Sequence, residues 1–531
     1  MASNIVTLPA DTNQAFGMAE YAIDFMRSGD PDPIVLERTK RFHTDATLCG
    51  LSALALGTNA PTILRQEALS YPVGPDSMKV GQCEQLGATT FGSSTIVCPE
   101  KAILANSSAV REWDSNGTNF GYDPARGNTA GEFGHNDFYP VAIAAAQMAG
   151  QDGAYALRGM VLCDEIRGRL AEVFSLKTYK IDHVVHGAIA SAATFGAMVG
   201  ATAEQIESAI GMVVAHAIPF RAIRAGKQLS DSKGASAAIS TEFAITAVKR
   251  SMNGFLGPRD IFRNPEAIFR IFEGPGQMFV AVGKHPKNTE NADASPFHLE
   301  LSRAGTDFTV MGMHFKLGLY EHQSAGAIQA VIDLLEKCPA LLDDDTGGKI
   351  EKIRIVAYEP AFGIIGDPAK RNPTTRQSAD HSMVYIVSTL LRKALTTKEV
   401  GWKELMLEPK DYSDSAIHDS RTRAIMDKIE FAHGGPSYDE KYPDGIPTSV
   451  HIIDSDGSAY DSGLVMYPGG HARNKTVDLE DVLNHKFQIL GKLAFDDPTP
   501  IIERYNRIAE LNPDELRDIN NYDITVRGSF G

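Results

Sequence analysis

Histidine, lysine and aspartate recur beside glycine in a few short segments of this chain, and these are the side chains that hold anions and move protons near neutral pH. The segments are Trp113-Asp114-Ser115-Asn116-Gly117-Thr118, Gly134-His135-Asn136-Asp137, Ile181-Asp182-His183, Asp231-Ser232-Lys233 and Phe315-Lys316. Two more are Asp380-His381-Ser382-Met383-Val384-Tyr385 and Tyr467-Pro468-Gly469-Gly470-His471-Ala472-Arg473. Each alone has an ordinary explanation. Asp114 and Thr118 suit a capped turn, Lys233 opens an Ala-rich helix predicted over 234–248, and His381 and Tyr385 stand four apart on a predicted helix. Taken together they point to an anion-handling lyase or a carboxylate-binding protein.

Other chemistries lack their sequence signals. Neither G-x-x-x-x-G-K-S/T nor G-x-G-x-x-G after a strand occurs, and there is no G-x-S-x-G elbow or H-E-x-x-H helix. The five cysteines, at 49, 83, 98, 163 and 338, form no C-x-x-C pair and are odd in number. That spacing disfavours a disulfide framework, a zinc knuckle or a thiolate-held cluster, and reads as reduced intracellular thiols. The residues therefore call for no metal and no cofactor.

The elements that must position these residues follow from composition. The chain has 531 residues, 43% hydrophobic and 22% charged, which is ordinary globular material for two or three domains. Acidic residues outnumber basic ones by 67 to 51, a net −16, so nucleic acid and anionic lipid are excluded as natural partners. The longest uncharged run, Val184 to Ala203, has about the length of a membrane span. It consists mostly of Ala and Gly, interrupted by His186, Ser191 and Thr194, and reads as a buried helix. The N-terminus lacks a secretory apolar core and an Arg-rich transit pattern, which predicts a cytoplasmic protein, or a mitochondrial-matrix one if the source is eukaryotic.

From Phe16 to about Phe279 the pattern is helical, with Ala-rich stretches at Pro140–Ala149, Ala154–Phe174, His186–Val199 and Ala203–His216. A polar segment, Lys284 to Pro296, reads as a surface insertion or linker. After Gly312 the character changes. Ala327–Leu335 has helical spacing, Lys352–Tyr358 alternates as a strand, and Val450–Met466 reads as a hairpin turning at Asp456-Gly457. Helix returns in the tail, with Thr499 as a cap and Pro500 in the first helical position. The predicted architecture is mainly α: a large all-helical domain formed by both chain ends, 1–311 and 477–531, with an inserted α+β domain at 312–476.

In this setting the motifs resemble those of the MmgE/PrpD family, which includes 2-methylcitrate dehydratase, cis-aconitate decarboxylase and iminodisuccinate epimerase. The family's D-x-x-D-T-W and G-H-P segments are similar to Asp114–Asn119 and Gly134-His135. Its lysine 21 residues before a G-x-x-G-P/Y turn is similar to Lys233 before Gly254–Pro258. Lys316 with His322-Gln323-Ser324, Asp380–Tyr385 and Tyr467–Arg473 complete the ordered set. Gly117 stands where the family often carries a second aspartate, and Asn119 replaces the Trp. The loop from Asn119 to Phe133 is longer, and Asn-Asp-Phe-Tyr-Pro follows His135.

The resemblance implies an α+β lid over the helical domain, a homodimer, and a cofactor-free lyase acting on a small di- or tricarboxylate between the two domains. It implies catalytic roles for Asp114, Thr118, His135, His183, Lys233, Lys316 and Tyr385. Substrate binding falls to His322, His381, Arg224, His471 and Arg473. The expected activity is dehydration of 2-methylcitrate to 2-methyl-cis-aconitate in propionate metabolism, with a cis-aconitate-type decarboxylase or a catalytically altered carboxylate binder as alternatives.

Overall fold

The computed structural model of the chain describes residues 4–83, 85–119, 134–224, 229–271, 294–359, 361–366, 370–528 and 530. Helix accounts for 53% and strand for 10%, the latter in small sheets only. The loop predicted between Asn119 and Phe133 and most of the polar segment from Lys284 lie outside the described residues.

Among the described residues, nine helices of the N-terminal half frame the site: α1 (Gln14–Ser28), α2 (Pro33–Ala55), α3 (Asn59–Leu69), α4 (Pro99–Arg111), α5 (Tyr139–Met148), α6 (Gly153–Val173), α7 (Val184–Met198), α8 (Ala203–His216) and α9 (Asp231–Met252). Their starts are encoded locally. Asp32 accepts from the Ile34 amide ahead of Pro33, Asp152 caps α6, and Thr202 with Gln205 forms a capping box on α8. Helix α7, the Ala/Gly run, is buried and packs on α6, α8 and α9. Small residues make that closeness possible: a Cβ on Gly187 would lie 2.0 Å from the Phe138 ring. Among the described residues no single helix is long and apolar enough to cross a membrane.

The only sheet of more than two strands among the described residues lies in the second half. Ile350–Ala357 pairs with Ile429–His433 in parallel and with Thr448–Asp454 antiparallel, and Ala459–Asp461 forms the outer edge. The helix Ala325–Lys337 covers it beside the helix Met383–Thr397. The C-terminal helices Leu479–Ala494 and Thr499–Asn506 return to pack on α2. Two local expectations are corrected. Pro498, not Thr499, occupies the cap position of the last long helix, which puts Pro500 second. His381 precedes its helix, because the Ser382 hydroxyl accepts from the Tyr385 amide and starts the helix at Met383.

Candidate active site

One carboxylate organises the site. Asp114 follows the end of α4 in a left-handed backbone conformation, φ 52°, and is 1% exposed. Non-glycine residues adopt that region sparingly, and such strain gathers at functional sites. Four groups from separate parts of the chain converge on it. Arg111, at the last turn of α4, lies 2.7 Å from its carboxylate, and Lys233, in the first turn of α9, lies 3.0 Å away. His381 Nε2 is at 2.9 Å. Lys316 ion-pairs with the carboxylate and donates to the Asp114 carbonyl at 2.9 Å.

Burial opposes a charge on Asp114, but Arg111, Lys233, Lys316 and His381 outweigh it and hold the carboxyl well below the usual range. Burial pulls both lysines down, and Asp114 opposes that pull. Behind this hub, Asp380 contacts His381 Nδ1 and lies 3.9 Å from Lys233. Arg376 ties Asp380 to Glu112.

The hub forms part of the wall of a cleft with an internal volume of about 90 Å³. His135 and His183 stand in the same wall with ring centroids 5.8 Å apart. Burial depresses both imidazoles well below their ordinary value, helped at His135 by Arg111 and opposed at His183 by Asp182. Arg111 Nη2 lies 3.1 Å from His135 Nε2. A guanidinium only donates, so Nε2 accepts and the proton of the neutral ring is assigned to Nδ1. Neither ring nitrogen of His183 has a hydrogen-bond partner among the described residues. Asp182 turns instead to Arg224, which itself lines the cleft.

Of the predicted residues, Asp114, His135, His183, Lys233, Lys316, His322, His381 and Arg224 all line this cleft. The structure sets four others apart from its lining. Thr118 sits on a two-residue strand whose backbone bonds to His314 in both directions. Tyr385 is fully buried and donates its hydroxyl to the Asp411 carbonyl. His471 and Arg473 line a second cavity, where the His471 ring lies tilted against that of His314 with centroids 4.0 Å apart and Arg473 pairs with Asp444. Their motif turns at Gly470, φ 83°, whose carbonyl accepts from the Phe315 amide at 2.9 Å and so supports the Lys316 segment.

Several lining residues escaped the sequence reading: Arg111, Glu321, Lys177 and Lys370. Arg111 carried one usable signal, an arginine three residues before Asp114 at the end of a helix whose preceding residues, Ala102 to Val110, are all uncharged.

Gly117 departs from the family pattern for a steric reason. A Cβ there would lie 2.5 Å from two atoms of the Phe42 ring, which stacks on Phe315 at 3.8 Å. The volume of a side chain is already filled. Gly117→Asp is therefore expected to lose about 1–3 kcal/mol through overpacking alone, more for burying a carboxylate. Denaturant unfolding measures it, and an unchanged midpoint would contradict the packing argument.

Asp114, Asp380 and His381 place one ligand atom each within 4.8 Å of one another, a grouping that no local motif announced. The set fits a divalent metal poorly. Asp114 is already surrounded by Arg111, Lys233 and Lys316, so an ion there would face three cations at contact range.

Neutral buried histidines also set the acid stability. Burial pushes His43 and His186 down to about 3 and His471 to about 4. A histidine depressed on folding contributes stability that is complete above its unfolded value, about 6.5, and is lost as pH falls from there toward the folded value. The loss is roughly 1.4 kcal/mol per pH unit for each group. Asp45, Glu112, Asp137 and Glu321, raised by burial, act with the opposite sign. The histidines, including His135, His183, His314 and His322, are more numerous. Thermal melting at pH 5.5 is expected several degrees below that at pH 7.5, and an equal or higher midpoint at pH 5.5 would show the carboxyls dominating.

Comparison with known families assigns this architecture. Residues 17–279 match the MmgE/PrpD N-terminal domain and residues 322–504 the MmgE/PrpD C-terminal domain, so the chain belongs to the MmgE/PrpD family. Among its relatives is a protein of Escherichia coli O157:H7 named 2-methylcitrate dehydratase, 25% identical over 90% of this chain and 91% of its own length. A mitochondrial 2-methylcitrate dehydratase of Yarrowia lipolytica is 25% identical over 68% of this chain and 64% of its own length. An alkylcitrate dehydratase of a fungal species is 24% identical over 76% and 71%.

Proposed function

We propose that this chain is a lyase that eliminates water from 2-methylcitrate or a closely related tricarboxylate, without a metal. The observation that carries the reading is the convergence of Lys233 and Lys316, from distant segments, on one buried aspartate in a cleft whose wall includes the neutral histidines His135, His183 and His322. A citrate-like substrate brings about three negative charges to an acidic protein. Each lysine ammonium has three donors and uses Asp114 for only part of them, so Asp114 keeps both charged and oriented while the remaining donors serve the substrate carboxylates. Arg224 adds a further cation on the wall.

Elimination beside a carboxylate needs a base for the carbon-bound proton and a donor for the departing hydroxyl. His183 suits the base: it is neutral, and neither nitrogen makes a hydrogen bond to a described protein group, the Asp182 carboxylate lying 3.7 Å from Nδ1. His135 suits the donor, because Arg111 occupies Nε2 and leaves the proton on Nδ1. The lysine cations then stabilise the negative charge that develops on the substrate carboxylate as the carbon proton leaves. The dehydratase names of relatives sharing a quarter of their residues support this class of reaction, and the cations account for the anionic substrate.

The test is a product screen by NMR with methylcitrate, citrate and cis-aconitate. An alkene signal from methylcitrate is expected. Itaconate from cis-aconitate would instead make the chain a decarboxylase using the same residues, and binding without turnover would make it a carboxylate-binding protein. In the same assay, dialysis against a chelator is expected to leave the rate within about twofold, since the cations around Asp114 already supply the electrostatic role that a metal would otherwise fill. Loss of activity restored by iron or another divalent ion would sink the metal-free mechanism.

A further inference from the structure

The helix Leu479–Ala494, far from the cleft in sequence, carries a lysine at position 486 that is 1% exposed and does not belong to the cleft wall. Its ammonium makes three contacts, as many as it has donors. It lies 2.7 Å from the Ser115 carbonyl, 2.8 Å from the Lys316 carbonyl and 2.7 Å from the carboxylate of Asp45 on α2. Ser115 directly follows the left-handed Asp114, and Lys316 is itself one of the two lysines of the hub. The same two segments are joined again where the Ser115 hydroxyl donates to the Gly318 carbonyl at 2.7 Å.

We infer that Lys486 is a positioning residue: it pins the backbone of the Asp114 turn and of the Lys316 segment to each other and to α2, and so fixes the Asp114–Lys316 pair. Two physical facts favour this over a purely stabilising role. A buried ion pair is a poor source of stability compared with apolar residues of the same volume. This one instead spends its donors on two carbonyls, one in each segment that supplies a hub residue. Left-handed backbone at a non-glycine residue persists only where its surroundings over-determine it, and the carbonyl after Asp114 is one of the atoms held. The role rests on the reading that the Asp114–Lys316 pair acts on substrate.

The experiment compares Lys486→Met with the double variant Asp45→Asn/Lys486→Met, which leaves no orphaned carboxylate and is the better candidate to fold. Leu483→Ala, a buried position on the same helix, serves as a control for general loosening. Misplacement of a hub group by an ångström is worth up to about a hundredfold in rate. In the double variant kcat on the acid found by the product screen is expected to fall at least tenfold, with KM changed much less. The control loses melting temperature but keeps kcat. A kcat in the double variant within twofold of the control overturns the inference.

A crystal structure of the same double variant gives a readout independent of any activity. Asp114 leaving the left-handed region, or Lys316 parting from it, supports the role, and an unchanged Asp114–Lys316 pair overturns it. If the wild-type protein turns over none of the acids, the proposed function fails, and the crystal structure alone decides the role of Lys486.

Discussion

Replacing His183 with Gln is expected to lower kcat on the tricarboxylate by about 10²–10⁴-fold, the usual worth of a positioned general base, while melting stays close to wild type. The two expectations come from one observation. Neither imidazole nitrogen bonds to a described protein group, so the ring is available to substrate and its loss strands no buried partner. Glutamine keeps the polarity and fills most of the space, but it cannot take a proton. The measurement is steady-state kinetics together with thermal unfolding. Near-normal kcat in a folded His183→Gln protein would remove the base from His183 and direct attention to His135 and His322, further neutral rings of the cleft.

The two lysines carry the second large effect. Lys233→Met and Lys316→Met are each expected to reduce kcat/KM by about ten- to a hundredfold or more, at roughly 1.4 kcal/mol per tenfold for a lost charge-assisted contact. Sequence alone would expect methionine to spare stability. The structure changes that expectation, since both lysines are at most 3% exposed and share Asp114. Removing one strips a buried carboxylate of part of its compensation, so melting should fall as well. A companion variant, Asp114→Asn/Lys316→Met, removes both charges but leaves Arg111 and Lys233 buried without their shared partner, so it is expected to recover neither stability nor activity. Wild-type rates in both single lysine variants would end the clamp.

These predictions rest on side chains that are distant in sequence. Lys233 and Lys316 are separated by 83 positions in the chain, and nothing local relates them. Only the packing of α9 against α4 and the return of the 314–316 segment beside the Asp114 turn bring both to one carboxylate. The same holds for the acid behaviour, because a histidine in sequence has its ordinary titration until burial removes water from it.

What the residues determined without a structure is the part that depends on short range. Ala-rich stretches became helices α5 to α8, the alternation at Lys352–Tyr358 became the central strand, and Asp456-Gly457 became the turn between two antiparallel strands, because propensity and turn chemistry act over a few residues. The motif order was likewise enough to expect the family. The tertiary structure decided which motif residues share a space. It placed Asp114, His135, His183, Lys233, Lys316 and His381 on one cleft, sent His471 and Arg473 to another cavity, turned the Tyr385 hydroxyl to a backbone carbonyl, and filled the side-chain volume at Gly117 with Phe42. Those outcomes follow from long-range packing and burial, which set both distance and charge and leave no trace in the spacing of a single chain.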